Sequence, residues 1–266
     1  MSTELLSPAG TLKSMRYAFA YGADAVYAGQ PRYSLRVRNN EFNKLENLVA
    51  AIDEAHGQGK KFYLASNISP HNDKVRSYLR DLEPVIAMGP DALIMSDPGL
   101  IMLVRETWPD QSVHLSVQAN AVNWATVKFW QQQGVERVIL SRELSLDEIE
   151  EIRQRVPEME LEVFVHGALC IAYSGRCLLS GYMTHRDSNQ GACTNSCRWE
   201  YNVHGARETQ TGDLIALDAG AEPVLLQEKN RPGEYLPANE AEDATYIMNS
   251  KDLRAVHHVE RLVKMG

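Results

Sequence analysis

Short β-type runs alternate with amphipathic helical stretches along nearly the whole chain. This alternation predicts right-handed crossovers and a parallel sheet whose strands are buried on both faces. Eight such units are expected to close into a (β/α)8 TIM-like barrel, an α/β fold. A doubly wound open sheet is the alternative, but the chain has no Gly-x-Gly-x-x-Gly fingerprint and no phosphate-binding P-loop. The predicted strands are residues 4–9, 24–29, 61–67, 91–96, 113–119, 136–141, 161–166 and 244–249.

The helical stretches carry the period and the boundary signals expected between such strands. In the second stretch, apolar residues recur at Leu45, Leu48 and Ile52, which places them on one face of a helix. The sixth stretch opens with Ser145 and carries Glu148 three residues later. This spacing is typical of a capping box, so it predicts where the sixth helix begins.

The regular spacing is interrupted once, after the predicted seventh strand. We interpret residues 1–266 as a single barrel domain with an insertion at about 167–243, and an apolar helical period at 256–263 completes the eighth unit. Barrel active sites lie at the carboxyl ends of the strands, in the loops that follow them. The insertion is therefore expected on the catalytic face.

All four cysteines of the chain fall within this insertion, with the spacing Cys-x6-Cys-x15-Cys-x3-Cys. They are Cys170, Cys177, Cys193 and Cys197. Thiolates are ligands of iron–sulfur clusters and of zinc. Structural zinc sites usually use two close cysteine pairs, and here only the second pair is close, which favours a cluster. Zinc, a redox disulfide and unligated thiols remain open on spacing alone.

Composition limits the partners of the protein. The formal net charge of −8 argues against coating nucleic acid by bulk electrostatics, although residues 166–199 carry three arginines against one aspartate. No apolar run approaches 18 residues, so no membrane partner is expected. The amino terminus has no signal-peptide pattern, and a long chain with one cysteine cluster is typical of a reducing cytoplasm, the predicted location.

Polar residues follow several predicted strands, where barrel chemistry is expected. His166 is a candidate proton donor or partner of the metal site, with a structural histidine as the alternative. Arg36 and Arg38 follow the second strand and could hold a carboxylate or a phosphate, or could simply face solvent. The other candidates at strand ends are Asn67, Asp97, Gln118, Asn120, Arg142, Glu143, Ser250, Lys251 and Asp252.

Two further function classes stay open beside a metal-dependent enzyme. For a peptidase, the chain has neither a Gly-x-Ser-x-Gly elbow nor a His-Glu-x-x-His helix, and a Cys170–His166 dyad would not need three more cysteines. The other class is a non-catalytic barrel in which zinc only stabilises the insertion.

Three segments of the chain resemble the peptidase U32 family, the collagenase-like proteases. The first two are Glu-Leu-Leu-Ser-Pro-Ala-Gly at 4–10 and Gly-Ala-Asp-Ala-Val-Tyr-Ala-Gly at 22–29. The third runs from Glu162 to Cys170 and continues as Tyr-Ser-Gly-Arg-Cys-Leu-Leu-Ser at 173–180, which is similar to the signature of that family. The resemblance extends over nearly the whole chain.

This resemblance implies properties that the spacing does not. Relatives that act on ubiquinone precursors hold a 4Fe–4S cluster through four cysteines and hydroxylate without molecular oxygen. Other relatives carry out a prephenate-dependent conversion of wobble uridine in tRNA to 5-hydroxyuridine, the first step towards its 5-carboxymethoxy and 5-methoxy forms. By this resemblance the four cysteines become cluster ligands, with Cys197 the least secure, and tRNA and prephenate become the expected partners. Family members commonly carry a further C-terminal region, which this sequence is expected to lack.

Overall fold

A computed structural model provides the structure of the protein. It describes residues 3–35, 40–167, 172–174, 176–186, 188–190, 192–198 and 253–266, together with six short strands between residues 205 and 245. Contacts divide the chain into two compact units. The first comprises Met1–Ala168, Ala172–Thr194 and Asp252–Gly266, and the second comprises Leu169–Ile171 and Asn195–Lys251.

The first unit contains a parallel sheet of seven strands in sequential order. Each strand pairs in parallel with the next one in the chain, as expected for consecutive β–α–β units. The sequence prediction of a parallel α/β sheet is therefore confirmed. The strands are β1 Leu6–Pro8, β2 Ala25–Gly29, β3 Lys61–Ser66, β4 Ala92–Met95, β5 Val113–Leu115, β6 Arg137–Ile139 and β7 Glu160–Glu162.

Helices connect these strands and cover one face of the sheet. Thr11 caps the first of them and Asp97 caps the fourth, each by accepting a backbone N–H of the first turn. At the sixth, Ser145 and Glu148 form the capping box that the sequence predicts. The helices are α1 Leu12–Ala20, α2 Leu45–Gly57, α3 Asn72–Ile86, α4 Pro98–Thr107, α5 Trp124–Gln132, α6 Leu146–Arg155, α7 Leu179–Thr184 and α8 Val259–Met265. Short 3-10 turns lie at Glu41–Asn43, Val117–Ala119, Ser188–Gln190 and Val256–His258.

The two faces of the sheet have different packing. On one face, residues such as Val26, Leu64 and Leu93 pack with the helices in the large apolar core. On the other face, residues from all parts of the sheet meet in one small cluster that includes Ala25, Tyr63 and Ile139. Strands at opposite ends of a flat sheet could not share such a cluster, so the sheet is curled into a half-barrel around it.

The predicted eighth parallel strand is wrong for the described part of the chain. Of residues 244–249 the structure describes Ala244–Thr245, which form a strand that pairs antiparallel with Glu240–Ala241. Two residues separate these partners, so the local hairpin closes at far lower entropic cost than a pairing with a distant strand. Residues 246–250 lie outside the described residues.

The remaining short strands pair within their own units. In the first unit, β8 His166–Gly167 pairs antiparallel with Leu253–Arg254. In the second unit, Gly205–Glu208 pairs with Leu214–Leu217, and Val224–Leu226 pairs with Leu236–Ala238. Among the described residues, no helix is both long and apolar enough to cross a membrane.

Candidate functional site

The candidate site lies at the carboxyl edge of the curled sheet, where polar residues follow four neighbouring strands. Asn67 follows β3, Ser96 follows β4, Ser116 follows β5 and Ser141 lies just beyond β6. Asn67, Ser116 and Ser141 are buried. These small polar side chains place hydrogen-bonding groups at the mouth of the half-barrel.

An amide pair joins the ends of β3 and β5. The Asn67 side-chain Nδ2 donates to Gln118 Oε1 at 2.8 Å, and the Ser116 hydroxyl donates to the same oxygen. Asn67 Oδ1 accepts the backbone N–H of Leu35 at 3.1 Å, and the Asn67 carbonyl accepts from the Ser96 hydroxyl at 3.0 Å. Because each partner has a defined donor or acceptor role, the orientation of both amides is fixed.

Asn120 follows the 3-10 turn Val117–Ala119 and adopts left-handed backbone geometry, with φ of 53°. Its Nδ2 donates to the carbonyl of Gln118 at 2.8 Å and to the carbonyl of Ser174 at 3.3 Å. Its Oδ1 is buried and has no hydrogen-bond partner among the described residues. Asn120 therefore ties the edge of the sheet to the segment of the family signature and keeps one acceptor unused.

Arg142 contacts the same segment from the end of β6. Its guanidinium donates to the Ser174 hydroxyl at 3.2 Å, and its Cζ lies 4.0 Å from the centre of the Phe164 ring. Stacking on an aromatic ring holds a guanidinium in one orientation. The site thus carries a positioned positive charge beside Ser174. The Ser141 hydroxyl donates to the Glu143 carboxylate in the same loop.

Further contacts attach the chain that follows the signature segment to this edge. Lys74 donates to Gln190 Oε1 at 3.1 Å, and Gln190 in turn donates to the backbone carbonyl of Ser69. Lys74 belongs to α3, and Ser69 lies in the loop between β3 and that helix. The chain after Cys177 is therefore attached to a loop on the carboxyl side of the sheet.

Two cysteine-bearing segments lie side by side in the first unit. The Ser188 hydroxyl donates to the carbonyl of Cys177, and the backbone N–H of Thr194 donates to Ser180 Oγ at 3.1 Å. The second contact links a residue three positions after Cys177 to the residue that follows Cys193. Both cysteines are partly exposed.

The other two predicted ligands are placed differently. Cys197 is partly exposed and belongs to the second unit, and Cys170 lies outside the described residues. The donor chemistry of four thiols suits an iron–sulfur cluster or zinc. Within the part of the chain that the structure describes, however, no three Cys, His, Asp or Glu side chains are close enough to hold one metal ion. The four-cysteine ligand set stays a prediction.

The remaining predicted site residues have different positions. His166 is exposed in β8, opposite Arg254, rather than at the end of a parallel strand, because β7 ends at Glu162. Asp97 accepts the backbone N–H of Leu100 as the cap of α4, so its role here is structural. Arg36 and Arg38, together with Ser250, Lys251 and Asp252, lie outside the described residues.

The opposite end of the sheet carries a charged cluster that the sequence alone does not reveal. Arg137 is buried at the start of β6 and bonds Glu4 at 2.7 Å and Glu160 at 2.8 Å. Burial raises the pKa of Glu4, but hydrogen bonds from Arg137 and Lys61 outweigh it and lower the value to about 2. Burial raises the pKa of Glu162 to about 7, which Arg137 offsets only in part.

Comparison with known proteins agrees with this architecture. The model of peptidase family U32 matches residues 10–266. The tRNA hydroxylation protein P of Escherichia coli K12 is 68% identical over 279 residues, covering 99% of this chain and 61% of that protein. The 23S rRNA 5-hydroxycytidine C2501 synthase of the same organism is 36% identical and covers 88% of this chain and 37% of that protein. A solved U32 peptidase structure shares the fold with a TM-score of 0.53 at 19% identity, over 63% of this chain and 70% of that one.

Proposed function

The chain belongs to peptidase family U32, and from that premise we propose that it hydroxylates a nucleobase in tRNA. The observation that carries this proposal is the 68% identity, across 99% of the chain, to a protein named for tRNA hydroxylation. A second relative is named for a hydroxylated cytidine in ribosomal RNA. The chain spans 61% of the length of the first relative, so the activity of the whole protein is part of the proposal.

In the proposed reaction the protein converts wobble uridine to 5-hydroxyuridine in the cytoplasm. The reaction would depend on prephenate and would not use molecular oxygen. Cys170, Cys177, Cys193 and Cys197 would ligate a 4Fe–4S cluster, whose chemistry is electron transfer. Arg36 and Arg38 would bind the two carboxylates of prephenate through paired hydrogen bonds. His166, exposed in β8, is the proposed proton donor.

The geometry of the carboxyl edge supports a nucleobase as the substrate. Enzymes that modify a base take it out of the stack and hold it by hydrogen bonds to its edge and by stacking. The edge of this sheet offers fixed amides at Asn67, Gln118 and Asn120, and Arg142 beside them supplies a cation. Most of these amide atoms bond one another or the backbone, and Asn120 Oδ1 is the buried amide atom among them without a partner in the described residues, which suits an N–H of a heterocycle.

The direct test is nucleoside mass spectrometry on tRNA from a bacterial host that lacks its own 5-hydroxyuridine activity. Expression of the full 266-residue chain should restore 5-hydroxyuridine in a host that makes prephenate, and should not do so in a host that cannot. Cys177→Ser should abolish the product, whereas Ser145→Ala at the remote cap of α6 should retain it. Restoration without prephenate would refute the co-substrate, and no restoration at all would refute the activity.

Metal content is tested on anaerobically purified protein. Iron and sulfide with a broad absorbance near 400 nm are expected, and stoichiometric zinc without that absorbance would contradict the cluster. Incubation with gelatin and peptide libraries tests the peptidase alternative. Repeated cleavage that Cys170→Ala abolishes would favour proteolysis over hydroxylation.

The assignment of the two arginines has its own experiment. The double variant Arg36→Ala, Arg38→Ala should raise the prephenate concentration needed for half-maximal 5-hydroxyuridine formation at least about tenfold, because each paired contact to a carboxylate is a strong hydrogen bond. Arg76→Ala, at an exposed site on α3, is the matched control and should leave that concentration unchanged. An unchanged prephenate requirement in the double variant would remove the assignment.

A further inference from the structure

We propose that Asn120 determines the choice of base, with its Oδ1 accepting the N3–H of uracil. This inference rests on the proposed hydroxylation of uridine and assigns a specificity residue to that site. The observation behind it is the pairing of the Asn120 side chain at the carboxyl edge. Asn120 has a buried side-chain oxygen with no hydrogen-bond partner among the described residues, whereas its nitrogen donates to two carbonyls.

The orientation of the Asn120 amide follows from its surroundings. Gln118 and Ser174 both present carbonyl oxygens, at 2.8 Å and 3.3 Å from Nδ2, and a carbonyl can only accept. If the amide were turned over, Oδ1 would face two acceptors and both hydrogen bonds would be lost. The oxygen is therefore the amide atom left without a partner among the described residues, and the proposal assigns it to the base.

Keeping that oxygen unpaired has an energetic cost. A buried acceptor without a partner destabilises a fold by about 1–3 kcal/mol. Its residue also has a positive φ of 53°, a conformation that few side chains other than asparagine and aspartate adopt readily. Unsatisfied polar atoms and unusual backbone conformations occur together at ligand sites more often than elsewhere.

The group that pairs with Asn120 Oδ1 must be a hydrogen-bond donor, and this requirement distinguishes uracil from cytosine. Uracil carries a hydrogen on N3, so it can donate to Asn120 Oδ1. Cytosine has a lone pair at N3, and would place one acceptor against another in a buried site. Sites built to hydrogen-bond a donor group discriminate strongly against analogues that lack it, because a buried polar atom is left unpaired.

Asn120 also contacts Ser174, so a purely structural role has to be separated from base selection. If Asn120 only held the signature segment in place, its loss would slow hydroxylation of every base by the same factor. If Asn120 instead bonds the N3–H of the base, its loss would slow the hydroxylation of uridine specifically. The ratio of uridine to cytidine hydroxylation would then fall. The ratio therefore distinguishes the two roles.

The decisive variant is Asn120→Gly, since glycine accepts the positive φ and removes only the amide. The matched control is Asn123→Gly, which deletes the same amide three residues later, where Asn123 caps α5. The purified full chain is assayed anaerobically with prephenate on anticodon stem–loop RNAs that carry uridine or cytidine at the wobble position. Products are measured by mass spectrometry, and urea unfolding reports the integrity of each variant.

The Asn120→Gly variant should lose about 10- to 100-fold in kcat/KM for uridine, and its preference for uridine over cytidine should fall by a similar factor. Asn123→Gly should leave unchanged both kcat/KM for uridine and the preference for uridine over cytidine. Loss of activity on both bases in equal proportion would overturn base selection. If the unmodified protein hydroxylates neither RNA, it is the proposed function that fails, whereas a working enzyme with an unchanged ratio removes only the role of Asn120.

A second measurement does not depend on the variant. A stem–loop with 3-methyluridine at the wobble position has no N3–H and adds a methyl group where Oδ1 would accept. The unmodified protein should hydroxylate this RNA at least about tenfold more slowly than the uridine RNA. Equal rates on the two RNAs would overturn the proposal even if Asn120→Gly proved unstable.

Discussion

Glu4 and Glu162 share one buried arginine, yet the same Glu→Gln substitution at each is expected to move stability in opposite directions. Glu4 accepts hydrogen bonds from Arg137 at 2.7 Å, Lys61 at 2.8 Å and Tyr63 at 2.8 Å. Glu162 Oε2 lies 3.5 Å from Arg137 and accepts no hydrogen bond within the described residues. Both carboxyls are mostly buried, so solvent screens neither strongly.

The magnitudes follow from the pKa values. The pKa of Glu4 is about 2 against an ordinary 4.5, so its ionised form stabilises the folded state. The pKa of Glu162 is about 7 against the same 4.5, so its ionised form destabilises it. A difference of about 2.5 pH units between folded and unfolded pKa corresponds to about 3 kcal/mol in each case.

The pH dependence gives the sign of each effect. The contribution of Glu4 is fully present above its unfolded pKa near 4.5 and is lost as pH falls through about 2. The penalty from Glu162 is small below pH 4.5, grows as pH rises and is complete above about 7. Glu4→Gln should therefore lose about 3 kcal/mol at both pH 5 and pH 8. Glu162→Gln should gain little at pH 5 and about 3 kcal/mol at pH 8.

Urea unfolding at pH 5 and pH 8 measures these differences, with the denaturant slope checked for constancy across the variants. Each variant serves as the control for the other, because the chemical change is identical and both side chains face Arg137. A Glu162→Gln protein that is less stable than the unmodified chain at pH 8 would refute the account of its pKa. A Glu4→Gln protein with unchanged stability would show that its hydrogen bonds contribute no net free energy.

Substitutions at two other positions test the local causes of the fold. Ser145→Ala removes one half of the capping box of α6 and should lower the free energy of unfolding by about 1 kcal/mol, measured by urea unfolding, while Ser145→Asp should retain most of it. Leu93→Ala opens a cavity at a fully buried position in the centre of β4, and urea unfolding should show a free energy of unfolding lower by about 2–5 kcal/mol. The volume-conserving Leu93→Met should lower it by less than about 1.5 kcal/mol.

Local sequence patterns account for most of the first unit. The strand–helix alternation predicts the parallel order of β1–β7, and the Ser145–Glu148 spacing predicts where α6 begins. These features depend on nearest neighbours in the chain. The eighth strand depends on a long-range pairing, whereas its described residues, Ala244–Thr245, pair locally with Glu240–Ala241. Apolar periodicity describes which faces are buried, but it does not choose between partners.

The candidate site shows the same division between local and long-range information. Asn67, Gln118, Asn120 and Arg142 are predictable because they follow strands, and strand ends share an edge. The part played by Ser174 is not predictable, because it depends on contacts across 54 and 32 residues of sequence. The Arg137 cluster is hidden for the same reason, since Glu4 and Arg137 are 133 residues apart.

The two ends of the sheet differ in how their buried polar groups are paired. At the end that carries Arg137, charges are neutralised by hydrogen-bonded partners, which favours stability. At the carboxyl edge, Asn120 Oδ1 is a buried acceptor without a partner among the described residues, which costs stability and which we assign to a ligand. Glu162→Gln should therefore raise stability at pH 8 without changing the ratio of uridine to cytidine hydroxylation. Asn120→Gly should change that ratio with little net effect on stability, because loss of the two Nδ2 hydrogen bonds offsets removal of the unpaired oxygen. A change in the ratio in Glu162→Gln would mean that the strands transmit the charge state of one end to the other.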